Sequence, residues 1–200
     1  IICFGHSLGS IINLNFALKY PNQVNALACW NSGIETGLLP KASRIILAIE
    51  GLFRNQNLPS LIAWKLSFEA WNSKFKPNRT KFDWLSRDEN EVDLYVDDPC
   101  CGFEVSISMW RDILDGVFYA GNKKNLQKLP KELPVHIVGG AEDPCTQNGS
   151  DMKKLAIKLQ NSGLSDVTCT ILEGTRHESL NEINRDQTTE QFMNWLTERF

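Results

Sequence analysis

The sequence predicts an α/β fold: part of a mainly parallel sheet flanked by helices, with a helical segment inserted between sheet elements. Three observations predict it. Short apolar runs recur at Ile1–Phe4, Val24–Trp30, Val135–Val138 and Val167–Leu172, and helical periodicity follows the first, third and fourth of them. Between residues 37 and 133 no strand alternation stands out, and apolar residues fall at helical spacing instead. A serine flanked by glycines, Gly5-His6-Ser7-Leu8-Gly9, joins the first apolar run to the first helical pattern. Alternating strand and helix imply parallel strands covered on both faces. Such strands read as near-continuous apolar runs, as these do.

The elements follow in order. After the strand Ile1–Phe4, a helix is expected through about Tyr20, apolar on most sides and ended by Pro21-Asn22. The run Val24–Trp30 is the second strand, closed by Asn31-Ser32-Gly33. Helices are expected at about Lys41–Phe53, Pro59–Trp71, Arg87–Val96 and Phe103–Tyr119. The third strand, Val135–Val138, is ended by Gly139-Gly140, and a helix follows from about Ser150 with Gly163 near its end. Val167–Leu172 is the fourth strand, and a last helix runs from about Glu182. The expected organisation is therefore residues 1–36 and 134–200 as two parts of one core, with 37–133 as a helical cap.

Composition bounds the function. With 42% hydrophobic and 22% charged residues, the 200-residue chain can bury an ordinary core. A net charge of −3 gives no basic excess for a nucleic-acid surface. No apolar run reaches the roughly 20 residues of a membrane-spanning helix, so no integral membrane segment is expected. The six cysteines form no Cys-x-x-Cys pair and no zinc-ligand spacing with histidine. Cys3, Cys29 and Cys169 lie in apolar runs, where thiols act as small hydrophobes. The expectation is a reduced, cytoplasmic protein without metal or other cofactor. The chain starts at Ile1, inside a strand pattern, and reads as lacking its natural N-terminus.

The chemistry centres on Ser7. A serine on a sharp strand-to-helix turn projects its hydroxyl above the sheet, and the crowding there is expected to require glycine on both sides. The following helix aims N–H groups at an oxyanion formed nearby, with Leu8 N–H the nearest. A nucleophilic serine needs a base, and the base an orienting acid. Of three histidines, His6 lies within the turn and His136 sits mid-strand among apolar neighbours. His177 lies in a loop after the fourth strand, where a base would follow the acid in chain order. For the acid, the loop after the third strand offers Asp143 just before Pro144, with Glu142 as the alternative. Asp151 reads as a helix-dipole partner, and Asp166 and Glu173 as solvated strand ends.

These motifs resemble the α/β-hydrolase family, and within it the lysophospholipase and monoacylglycerol-lipase-like group. The likeness rests on Phe4-Gly5-His6-Ser7-Leu8-Gly9-Ser10, on Gly140-Ala141-Glu142-Asp143-Pro144, and on Gly174-Thr175-Arg176-His177-Glu178 with Asn181-Glu182. The insertion is similar to bacterial members over 75–80, 82–88 and 98–103. The resemblance implies Ser7 as nucleophile, Asp143 as acid and His177 as base, on a small-molecule acyl ester or lipid-like substrate. Family members begin with further strands and a His-Gly loop that gives a second oxyanion N–H. This sequence starts after that region, so the resemblance implies a fragment.

Aromatic residues Phe53, Trp64, Phe68, Trp71, Trp84, Trp110 and Phe118 in the insertion suit an acyl-chain lining, although most are expected to form its own core. Lys74, Lys76, Arg79 and Lys81 read mainly as a solvated basic face. Rival functions on the same residues are acyl transfer, release of N-terminal amino acids, or a truncated binding module.

Overall fold

The computed structural model describes residues 1–200. Four parallel strands form one sheet in the order β1 (Ile2–His6), β2 (Ala26–Trp30), β3 (Val135–Gly140) and β4 (Val167–Leu172). Their registers pair Cys3 with Leu27, Ala28 with His136, and His136 with Thr168. The second strand starts two residues later than the apolar run, because Val24 follows the short 3-10 turn Pro21–Gln23 that ends the preceding helix.

Side chains alternate across this sheet with the period of two that strands impose. On one face Leu27, Cys29, Val135 and Ile137 join Leu14 and Leu18 of α1 (Leu8–Lys19), together with Met152, Leu155 and Leu159 of α8 (Ser150–Gln160). On the other, Ala28, Trp30, Val138 and Leu172 pack with Phe192 of α9 (Arg185–Thr197). Truncating a fully buried residue such as Leu27 would cost about 2–5 kcal/mol, the transfer energy plus a cavity. His136 lies in the second layer. Trp30 Nε1–H donates to its Nδ1 at 3.1 Å, and Trp195 and Phe192 flank the ring.

Between β2 and β3 lie α2 (Leu38–Phe53), α3 (Leu61–Trp64), α4 (Ala70–Asn72), α5 (Glu89–Asp97), α6 (Ile107–Ala120) and α7 (Lys123–Leu126). The helix expected at Pro59–Trp71 starts instead at Leu61, where Ser60 Oγ caps Ala63 N–H, and a π-helical segment, Lys65–Glu69, joins α3 to α4. Ser106 caps α6 in the same way and delays it past Phe103. Trp64, Phe68, Trp71, Trp84 and Phe82 form a local aromatic core, whereas Phe53 is 83% exposed. The last helix begins at Arg185, not Glu182, because the Glu182 carboxylate is committed elsewhere. No helix is long and apolar enough to cross a membrane.

One carboxylate gains a partner that the sequence did not suggest. Asp166 is held by a two-pronged ion pair with Arg199, at 2.8 and 2.9 Å, which keeps its carboxyl below the usual range. Asp151 stands in the first turn of α8, as expected of a helix-dipole partner, and also pairs with Lys154 at 2.8 Å. All six cysteines are free, and burial pushes the Cys29 thiol up to about 12.

Candidate active site

Four loops meet where the C-terminal ends of the strands line up, the edge where open α/β sheets place their ligands. Ser7 follows β1, Asn31 follows β2, Asp143 follows β3, and His177 lies five residues beyond the end of β4.

Ser7 has φ 52° and ψ −122°, a backbone conformation that a residue with a Cβ rarely adopts. Such a residue costs roughly 1–3 kcal/mol and needs a surrounding that over-determines it. Here Ser7 N–H donates to Trp30 C=O at 2.9 Å, and Ser10 N–H donates to Ser7 C=O at 3.0 Å. A Cβ on Gly5 would meet the Gly9 carbonyl oxygen at 2.3 Å, so the turn requires glycine there. At Gly9 a Cβ would meet nothing within 4 Å, which corrects the expectation that both glycines are sterically required. Leu8 is the first residue of α1, so the helix gives its N–H no partner.

The strand ends bring Ser7, Asp143 and His177 together. His177 Nε2 lies 2.9 Å from Ser7 Oγ, and His177 Nδ1 lies 3.1 Å from both carboxylate oxygens of Asp143. With Nδ1–H donating to Asp143, Nε2 is left to accept from the serine hydroxyl. Glu142, the alternative acid, is exposed and makes only a backbone bond to Thr175. Asp143 is fully buried and also accepts from Thr146 Oγ1, Cys145 N–H and Asn31 Nδ2.

Burial opposes charge on His177, but the Asp143 carboxylate and its hydrogen bond outweigh it and hold the imidazole above its ordinary value. Burial likewise opposes charge on Asp143, and His177, Thr146 and Cys145 together keep its carboxyl below the usual range. His6 does not face Ser7. Its Nε2–H donates to the His177 carbonyl at 2.9 Å, its Nδ1 lies 3.8 Å from Glu178, and burial lowers it.

The loop carrying His177 is anchored from two sides. A Cβ on Gly140 would meet the carbonyl oxygens of Thr175 and Arg176 at 2.2 Å, so glycine lets this loop close against β3. The buried Glu182 carboxylate accepts from Arg176 N–H, Arg87 N–H and Arg87 Nε. Segment 82–87 is thereby tied to the loop, and Glu178 N–H also donates to Leu85 C=O at 2.7 Å. Trp84 lies over the His177 ring at 4.7 Å between centroids. Two groupings would offer a metal three ligand atoms, His6-His177-Glu178 and Asp143-Cys145-His177. Both need His177, whose nitrogens already face Asp143 and Ser7.

Sequence reasoning missed Asn31, Thr146, Ser179 and the anchoring role of Glu182. Asn31 carried a signal, a polar residue directly after a buried parallel strand, where it reads equally as a turn residue, and Glu182 lay in the Asn181-Glu182 pair of the family likeness without its partners being legible.

Sheet order, turn and loop placement define an α/β-hydrolase. The chain belongs to the serine aminopeptidase S33 family, whose model matches residues 1–184. Among solved structures, a carboxyl esterase from Bacillus coagulans is similar with a TM-score of 0.84 at 20% identity, over 99% of this chain and 64% of that one. A Paleococcus ferrophilus monoacylglycerol lipase gives 0.73 at 19%, over 100% and 68%. A soluble variant of monoglyceride lipase from Saccharomyces cerevisiae, in complex with a substrate analog, gives 0.70 at 18%, over 98% and 61%. The chain thus spans 64% of the length of the first of these. A search of curated proteins found no match.

Proposed function

We propose that the protein is a serine hydrolase that cleaves carboxylic esters of lipid-like or monoacyl substrates through an acyl-enzyme. The observation that carries this reading is the unbroken hydrogen-bond chain from Ser7 through His177 to Asp143. Ser7 Oγ attacks the ester carbonyl while His177 Nε2 takes its proton. Leu8 N–H stabilises the resulting oxyanion from the start of α1. His177 then returns the proton to the leaving alcohol, and water releases the acid by the reverse sequence. Asp143 holds the imidazole in the right tautomer and stabilises the imidazolium.

The substrate class is supported by the esterase and monoglyceride-lipase names of the structural neighbours. On this reading residues 37–133 cap the site. The family's description favours a second reading, hydrolysis of N-terminal aminoacyl bonds on the same residues. A panel of p-nitrophenyl acyl esters and aminoacyl p-nitroanilides separates the two. Ester turnover that exceeds anilide turnover, with a fluorophosphonate probe labelling wild type and not Ser7→Ala, is the expected result. Equal labelling of Ser7→Ala would overturn the nucleophile, and anilide preference would overturn the ester class.

A further inference from the structure

We propose that Asn31 is a positioning residue for this chemistry: its carboxamide, braced by Ser179, fixes the Asp143 carboxylate behind His177. The inference rests on the proposed hydrolysis and deepens it.

The geometry is a closed ring. Asn31 Nδ2 donates to Asp143 Oδ2 at 3.3 Å, and Ser179 Oγ donates to Asn31 Oδ1 at 2.8 Å. Ser179 stands two residues after His177, and its N–H donates to the His177 carbonyl at 3.2 Å. His177 Nδ1 returns to Asp143. All four residues are at most 2% exposed, so water does not compete for these groups. The amide can stand only one way round, because its oxygen facing Asp143 would set two acceptors against each other. Asp143 thereby receives four donors, Asn31 Nδ2, Thr146 Oγ1, Cys145 N–H and His177 Nδ1, matching the roughly four acceptor sites of a carboxylate.

The backbone supports the assignment. Asn31 has φ 52°, a region that glycine and asparagine tolerate best. Its N–H donates to Val138 C=O at 2.8 Å, which locks the residue onto the neighbouring strand. The titratable groups around this ring are Asp143, Cys145 and Asp151 on the segment after β3, His177 and Glu178 after β4, and His6 in β1.

The test compares three variants with wild type in p-nitrophenyl ester hydrolysis. Asn31→Gly keeps the backbone and removes the amide. It should lower kcat by roughly 10–100-fold, by analogy with the loss when a hydrogen-bond partner behind a metal ligand is removed, with KM changed less than about twofold. Asn31→Asp keeps the shape. When protonated, the introduced carboxyl can still donate to Asp143; once ionised it cannot, and a neighbouring carboxylate raises its titration into the measurable range. Its activity relative to wild type should therefore fall roughly tenfold between pH 6 and 9. Ser179→Ala should lower kcat in the same direction, by less. A side chain that merely fills space would leave kcat near wild type in folded Asn31→Gly and Ser179→Ala and would lower only their stability. Wild-type kcat in Asn31→Gly, or a flat ratio in Asn31→Asp, overturns the proposal. Should Asn31→Gly not fold, the other two variants decide by the same readouts. Fluorophosphonate labelling of wild-type Ser7 separates the two levels: labelled, active wild type with unaffected variants sinks only the role of Asn31, whereas unlabelled, inactive wild type sinks the hydrolase reading itself.

Discussion

His177 Nε2 stands 2.9 Å from Ser7 Oγ, although 170 residues separate them in the chain. The contact exists because β1 and β4 end on the same edge of one parallel sheet, with β2 and β3 between them. Neither residue's neighbours in sequence could create it.

The acid assignment is tested by paired substitutions. Asp143→Asn is expected to leave the fold intact and cut kcat by up to about 10⁴, since the amide favours the wrong imidazole tautomer. Glu142→Gln, on an exposed side chain, should change kcat less than about threefold. Steady-state kinetics with circular dichroism on both variants decides it, and the reverse ranking would transfer the role to Glu142.

The pH dependence follows from His177. On the proposed mechanism His177 must be neutral to accept the Ser7 proton, and its site holds it above the ordinary value of about 6.5, where Asp143 outweighs burial. Activity is therefore lost as pH falls through a midpoint above 6.5, and kcat/KM should rise to a plateau on the alkaline side. A kcat/KM profile with its midpoint clearly below 6 would contradict this electrostatic account.

The two glycines of the nucleophile turn should behave differently. Gly5→Ala drives a Cβ into backbone at 2.3 Å and should destabilise by about 3 kcal/mol. Gly9→Ala enters open space on α1 and should be neutral or slightly stabilising. Denaturant unfolding of both variants measures this; equal losses would show that the turn crowds Gly9 as well.

His136 predicts acid sensitivity of the fold. Burial, with a lesser push from Arg199, lowers it to about 4. The folded state holds it neutral while the unfolded chain takes up a proton below about 6.5, so stability declines as pH falls from there towards 4. By pH 4.5 this one group should cost about 2.5 kcal/mol relative to pH 7. In His136→Phe the difference in unfolding free energy between those pH values should shrink by that amount, even though the Trp30 indole loses its acceptor. An unchanged difference would mean that the ring is hydrated or already protonated when folded.

Much of the fold was legible because it is written in local pattern. The four apolar runs became four parallel strands, and the glycine-flanked serine marked the first strand-to-helix turn. Composition and periodicity also separated the helical stretch from the sheet, since a period near four and a period of two are distinct signals. Element ends were less legible, because caps decided them: Ser60 and Ser106 delay α3 and α6, and Glu182 turns inward to Arg87 instead of opening α9. Gly9 in the serine turn looked as constrained as Gly5, and only the path of α1 shows otherwise.

What tertiary structure alone decided is which polar groups share a buried space. Sequence narrowed the acid to Asp143 or Glu142; folding buries the first against His177 and leaves the second in solvent. It gave the partly exposed Asp166 a partner in Arg199, and turned Asn31 from a turn residue into a buried donor to Asp143. The reason is physical. Hydrophobic pattern is a property of neighbours along the chain, whereas hydrogen-bond partners inside a core are set by strand register and loop closure. Asn31 and Asp143 are 112 residues apart, and only the β2–β3 pairing brings them into contact.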